Sequence, residues 1–195
     1  MDMVKNYLKE KYKKPGNVFL GLVHRLDKPV QGIVLFGKTS KGASRLSEQF
    51  RNHEIEKIYY AIVIGKPKES RGTLVDYLVK DKIKLKAEVS GVRDSAGFGG
   101  GKEAVLYYEV VKSDAKYSLL KIKLETGKFH QIRAQLSSAG FPILGDMKYG
   151  DKKVLEGPSF QEIALCAAEI SFKMAVEDKI INLKIPLPEQ WEKYL

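Results

Sequence analysis

Residues 117–125, YSLLKIKLE, alternate Leu120, Ile122 and Leu124 with Lys121 and Lys123. A period of two sends apolar and charged side chains to opposite faces of a strand. One face must then be covered and the other wet, which suits an antiparallel sheet better than a parallel one buried on both sides. The same alternation returns at Ile181, Leu183 and Ile185 against Asn182 and Lys184, within 179–185. Residues 57–64, KIYYAIVI, form a β-rich run ended by Gly65-Lys66-Pro67. Further strands are expected at 19–23, 32–37, 73–79, 104–112 and 164–174.

Helical spacing is found in fewer places. Residues 3–13 put Met3, Val4, Tyr7, Leu8 and Tyr12 on or near one face, and Pro15-Gly16 ends the run. Thr39 or Ser40 caps a second helix carrying Ala43, Leu46 and Phe50. A third covers 130–139 and closes at Gly140, and a terminal helix carries Trp191. About eight strands and three or four helices in mixed order, with no βαβα rhythm, indicate an α+β fold with a mixed, mostly antiparallel sheet. Residues 80–103 are charged and then glycine-rich (Gly97, Gly99, Gly100, Gly101), which reads as a mobile excursion or hairpin tip.

A chain of 195 residues suits a single domain, residues 1–195. It can bury roughly 70% of its unfolded surface and needs no disulfide or metal to fold. The lone Cys166 lies in an apolar run and reads as an inert buried thiol, in keeping with a reducing compartment. The N-terminus lacks the apolar core of a signal peptide, and no stretch nears the roughly 18 apolar residues of a membrane span. A cytoplasmic protein without a membrane partner is expected. Its net charge of +10, from 34 Lys+Arg against 24 Asp+Glu, favours a polyanionic partner: nucleic acid, acidic lipid or an acidic protein.

Several common sites are excluded. Gly101-Lys102 is followed by Glu103, so there is no P-loop, and Lys102 stands where a dinucleotide turn needs its third glycine. His24, His53 and His130 have no ligand spacing, so no metal is expected. The nucleophile elbow of serine hydrolases is missing.

Two polar clusters remain. His24-Arg25-Leu26-Asp27 lies between Leu22-Val23 and the apolar Ile33–Phe36, just before a turn marked by Pro29 and Gly32. The second, LETGKFHQIRAQLSSAG at 124–140, sets Lys128, His130, Gln131 and Arg133 at or near a helix start, where backbone N–H groups point outward and anions are favoured. Ile132 and Leu136 are core positions.

Taken in order, HRLDKPVQGIVLFGKTS, EKIYYAIVIGKP, LETGKFHQIRAQL and GFPILGDMKYG resemble the motifs of the RluA family of RNA pseudouridine synthases, from about Leu22 to Leu187. The resemblance implies a bifurcated, mostly antiparallel sheet in two lobes with an RNA cleft between them. It also implies no cofactor and, as substrate, a uridine of structured rRNA or tRNA. It maps the catalytic aspartate onto Asp27, the active-site tyrosine onto Tyr59 and the active-site basic residue onto Arg133. Gln31 stands where serine is usual, Lys128 replaces an arginine, Phe141 stands where histidine is common, and the sequence begins after the point where the family usually carries an upstream strand with an Asn-Lys-Pro-Ala-Gly-like turn. No S4-type RNA-binding domain is expected, and the protein is expected to act as a monomer.

The chemistry asks for an ionised carboxylate. An unpaired buried carboxylate costs several kcal/mol, so Arg133 is expected to pair with Asp27. Tyr59 offers a flat face to a base and a hydroxyl, whereas Tyr60, one residue on, points the other way and suits a core role. The target uridine must leave its stack at a cost of roughly a few kcal/mol. Arg25 is expected to fill the vacated space or hold a phosphate. His24 reads equally as an RNA-facing group or a satisfied strand histidine, while Lys128, His130 and Gln131 are candidate RNA contacts. The competing readings are an inactive RNA-binding protein of the same fold and a two-carboxylate glycosidase. For the latter only Asp146 is at hand, and it reads as structural.

Overall fold

The computed structural model describes residues 1–90, 100–150, 162–175, 177 and 179–194. Helix α1 (Asp2–Lys11) is followed by β1 (Gly21–Leu22), β2 (Gln31–Gly32), β3 (Phe36–Gly37) and helix α2 (Ser40–Arg51). Long strands come next: β4 (Glu56–Ile64), β5 (Arg71–Asp81), β6 (Lys86–Ser90), β7 (Lys102–Ser113) and β8 (Tyr117–Leu124). Helix α3 (Gln131–Ser138), β9 (Leu165–Lys173), β10 (Ile180–Lys184) and a terminal 3-10 helix (Glu189–Tyr194) complete the order.

The main sheet runs β10-β9-β4-β8-β7-β5-β6, antiparallel throughout, and β2 joins β9 in parallel. β1 and β3 form a separate antiparallel pair. The fold is therefore α+β with a large, mostly antiparallel sheet, as the alternation in β8 requires. Leu120, Ile122 and Leu124 are buried on the core side while Lys123 stays exposed. Ala61, Ile62 and Val63 of β4, Leu106 of β7, Ile132 and Leu136 of α3, and Trp191 share that core. Helix α2 starts where expected, with Thr39 Oγ1 accepting from the Gly42 N–H at 3.0 Å.

Three expectations need correction. The run at 32–37 is not one strand: only Gln31–Gly32 and Phe36–Gly37 pair, with different partners. The polar cluster consequently lies in an irregular connection rather than between two long strands. Residues 80–90 take the second of the two expected forms, a hairpin: β5 continues to Asp81 and turns into β6, and Asp81 Oδ1 accepts from the Ile83 and Lys84 N–H groups. The expected excursion at 91–99, with Gly97 and Gly99, lies outside the described residues. Helix α1 buries only Leu8, leaving Met3, Tyr7 and Tyr12 exposed.

One irregularity positions the rest. Between β4 and β9 the register shifts: Ile58 pairs with Glu169 but Tyr59 with Ala167, so Ala168 is an extra residue. Such bulges bend a strand and re-aim nearby side chains. β2 docks at the same place, Gly32 beside Ala167, and carries with it the connection that holds Asp27.

Candidate active site

Asp27 is fixed through its backbone, since its carbonyl accepts the Val30 N–H at 2.9 Å and closes the turn through Pro29. Its carboxylate faces a cavity of about 190 Å³ that is also lined by Tyr59 and Lys57 from β4, His24 and Arg25 from the connection, and Lys128, His130, Gln131 and Arg133 around the start of α3. Val30, Phe50, Leu124, Ile132 and Leu165 form its apolar walls. Every site residue named from sequence thus lies around one concavity.

Arg133 carries the geometry. Its Nε and Nη2 donate to Asp146 Oδ2 and Oδ1 at 2.8 and 2.7 Å, a two-pronged bond in which both side chains are buried. The remaining nitrogen, Nη1, stands 3.6 Å from Asp27 Oδ2. The expected Asp27–Arg133 pair is therefore present at ion-pair distance, but a second carboxylate holds the guanidinium in place. Burial works against the Arg133 charge; the hydrogen bonds and attraction of Asp146, then the attraction of Asp27, outweigh it and leave its pKa raised. Asp146 is structural, as expected, and it also accepts from the Lys148 and Tyr149 N–H groups.

His130 approaches Asp27 from the other side, with Nε2 3.7 Å from Oδ2. It caps α3 in a left-handed conformation (φ 52°), and its ring stacks on Phe129 with centroids 3.8 Å apart. Desolvation lowers its pKa despite the attraction of Asp27. The Tyr59 hydroxyl makes no hydrogen bond among the described residues, and burial followed by the Asp27 charge pushes its pKa up to about 12. It therefore keeps its phenolic proton at neutral pH and can donate it. Tyr60, on the other face, packs half-buried against the core, as expected, and donates to Glu169 Oε1 at 3.0 Å.

His24 accepts the Leu35 N–H at Nε2 (2.8 Å) and packs on Phe50. Desolvation, then repulsion by Lys57, lowers its pKa to about 4, so it is a neutral, satisfied histidine in the cavity wall. Gln131 is also committed internally. Its Oε1 accepts from Thr126 Oγ1 and the Lys128 N–H, and its Nε2 donates to the Val105 carbonyl. Arg25 is exposed at the rim without a partner among the described residues.

Sequence reasoning missed Lys57 and Tyr149. Lys57 had a readable signal, because it lies two residues before Tyr59 and so shares its strand face. Its ammonium is half-buried without a bonded partner among the described residues, and desolvation lowers its pKa against the pull of Glu125. No group of three or more acidic, histidine or cysteine side chains suited to a metal occurs among the described residues, and no described helix is long and apolar enough to cross a membrane.

A carboxylate beside a guanidinium and an imidazole, with a protonated tyrosine and free cations around a small cavity, suits chemistry on an anionic polymer. Comparison with known proteins agrees. The family model described as RNA pseudouridylate synthase matches residues 2–138. Ribosomal large subunit pseudouridine synthase D of Zymomonas mobilis is 33% identical over 177 residues, covering 88% of this chain and 54% of that protein. Ribosomal large subunit pseudouridine synthase C of Rickettsia bellii is 31% identical, covering 94% of this chain and 59% of that protein. The chain thus spans little more than half the length of the curated relatives it matches. The solved structure of human RNA Pseudouridylate Synthase Domain Containing 4 shares the fold with a TM-score of 0.79 at 24% identity, over 98% of this chain and 80% of that one. With a match over most of its length, the chain belongs to the RNA pseudouridylate synthase family, in its RluA branch.

Proposed function

We propose that this protein is an RNA pseudouridine synthase acting on a uridine of structured RNA, as a cytoplasmic monomer whose residues 1–195 form one catalytic domain of two lobes around an RNA cleft. The names of its relatives, ribosomal large subunit pseudouridine synthases C and D, favour ribosomal over transfer RNA. In the reaction the C1′–N1 bond breaks, the uracil turns and a C1′–C5 bond forms. The proton lost from C5 is balanced by one gained at N1, so no redox partner is required. Asp27 is the catalytic carboxylate, acting at the sugar or the ring. Tyr59 lies against the base and holds a transferable proton, and Arg133 stands beside the carboxylate as its counter-ion. Arg25, Lys57 and Lys128 provide positive charge for the flanking phosphates.

The observation that carries this reading is the setting of Asp27. It is a partly exposed carboxylate in a cavity, with a fixed guanidinium at 3.6 Å and an imidazole at 3.7 Å. Mapping pseudouridines in cellular RNA with and without the protein tests it. At least one site is expected to vanish with the protein and to return with the wild-type chain but not with Asp27→Ala. An unchanged map together with retained RNA binding would assign the chain to RNA binding without isomerisation.

A further inference from the structure

The turn from Asp146 to Tyr149 holds both groups that face Asp27. Asp146 grips Arg133, and the Tyr149 hydroxyl lies 2.9 Å from His130 Nδ1. The direction of that second bond follows from a third. The Ala87 backbone N–H, in β6, donates to the same Tyr149 oxygen at 2.6 Å. An amide N–H can only donate, so the phenolic oxygen already accepts there and has its own proton to place. Tyr149 is 7% exposed, and His130 Nδ1 is the one other hydrogen-bonding atom in reach among the described residues. A proton on Nδ1 would leave the phenol proton buried without an acceptor, which is unfavourable.

We propose that Tyr149 is a positioning residue that donates to His130 Nδ1 and thereby fixes His130 as the neutral tautomer protonated on Nε2, presenting an N–H to Asp27. The choice of tautomer is set by the bond at the other ring nitrogen. Asp27 is then flanked by a permanent cation and a neutral donor. At 3.7 Å the Nε2–H stands just beyond hydrogen-bond length, close enough to steady the carboxylate or a polar atom of a bound nucleotide after a small shift. The ring has little freedom to escape this role, stacked on Phe129 and edge-on to Tyr149 at 5.6 Å. The catalytic meaning of the arrangement rests on the function proposed above, whereas the tautomer is a property of the free protein.

Nitrogen NMR of the histidine-labelled protein without RNA tests the inference directly. The chain has three histidines, and His130→Gln identifies the relevant signals. In the wild type His130 is expected to show an unprotonated Nδ1 and a protonated Nε2, favoured at least about fivefold, the population ratio that one buried hydrogen bond corresponds to. Tyr149→Phe keeps the ring contacts and removes only the hydroxyl, so the preference is expected to fall and the two tautomers to mix. A wild-type His130 protonated on Nδ1 would overturn the inference, even if Tyr149→Phe failed to fold. So would a Tyr149→Phe spectrum with the wild-type tautomer ratio. Because the measurement needs no RNA, its outcome is separate from whether the protein isomerises uridine.

Discussion

Arg133 is held by one carboxylate so that it can serve another. Both oxygens of Asp146 are bonded to it, and Asp146 is fully buried, so the two form a buried ion pair that losing either partner would break. Asp146→Asn leaves a buried cation with one distant partner and is expected to cost about 3–5 kcal/mol of stability. Urea unfolding should show a lower midpoint with an unchanged slope. Lysine at 133 would not restore the site, since an ammonium cannot make the two-pronged bond and also face Asp27. His24 makes a different demand. Its folded pKa is about 4, below the usual 6.5, so between those values the unfolded chain binds a proton that the folded chain refuses. Stability is therefore retained above about 6.5 and lost as the pH falls through about 4. Lys57→Met removes the repulsion and is expected to raise the His24 pKa part of the way towards 6.5, desolvation being the larger cause. Proton NMR titration of the His24 ring reads this shift; an unmoved midpoint would mean that Lys57 does not act on it.

The two-residue pairing of β2 with β9 has an influence out of proportion to its length. It anchors the connection bearing Asp27 beside the Ala168 bulge that follows Tyr59's partner, and so brings two distant parts of the sequence to one cavity. Gly32 permits it, with φ at +133° and a would-be Cβ only 2.4 Å from the Ala167 carbonyl oxygen. Gly32→Ala is expected to cost about 3 kcal/mol or more from strain and overlap, and to lower activity further by moving Asp27 away from Arg133. A stability loss with full activity per folded molecule would refute the second part. The long strands were legible because alternation and β-rich runs are local signals, and they are the ones that form the middle of the sheet. β2 and β3 were read as one strand because an apolar run does not say with what it pairs. β6, KAEVS, was missed because four of its residues are charged, polar or small. Its place depends on pairing with β5 and on the Ala87 bond to Tyr149, both set by the tertiary structure.

Asp27, Tyr59 and Arg133 converge only because the sheet folds, and their proposed roles come from motifs rather than from local pattern. Lys57 and Tyr149 escaped because a lysine in a strand and a tyrosine in a turn look ordinary until the cavity exists. What the sequence displays openly is charge. The net charge is +10, and around the cavity Arg25 is exposed while Lys57 and Lys128 are half-buried. A cation bound to phosphate releases condensed counterions, so affinity must fall with salt, and the slope counts the contacts. If six to ten lysines and arginines touch phosphate, binding of a structured ribosomal RNA fragment should weaken roughly 10³–10⁵-fold between 50 and 200 mM salt. Replacing the exposed Arg25 with Gln should reduce the logarithmic slope by about one contact. Asp27→Asn, which removes a negative charge from the cavity floor, should leave the slope unchanged or steepen it while abolishing isomerisation. Filter-binding titrations at several salt concentrations measure all three. A flat salt dependence would mean that the positive surface does not meet the RNA backbone and would remove charge from the account of how this chain finds its substrate.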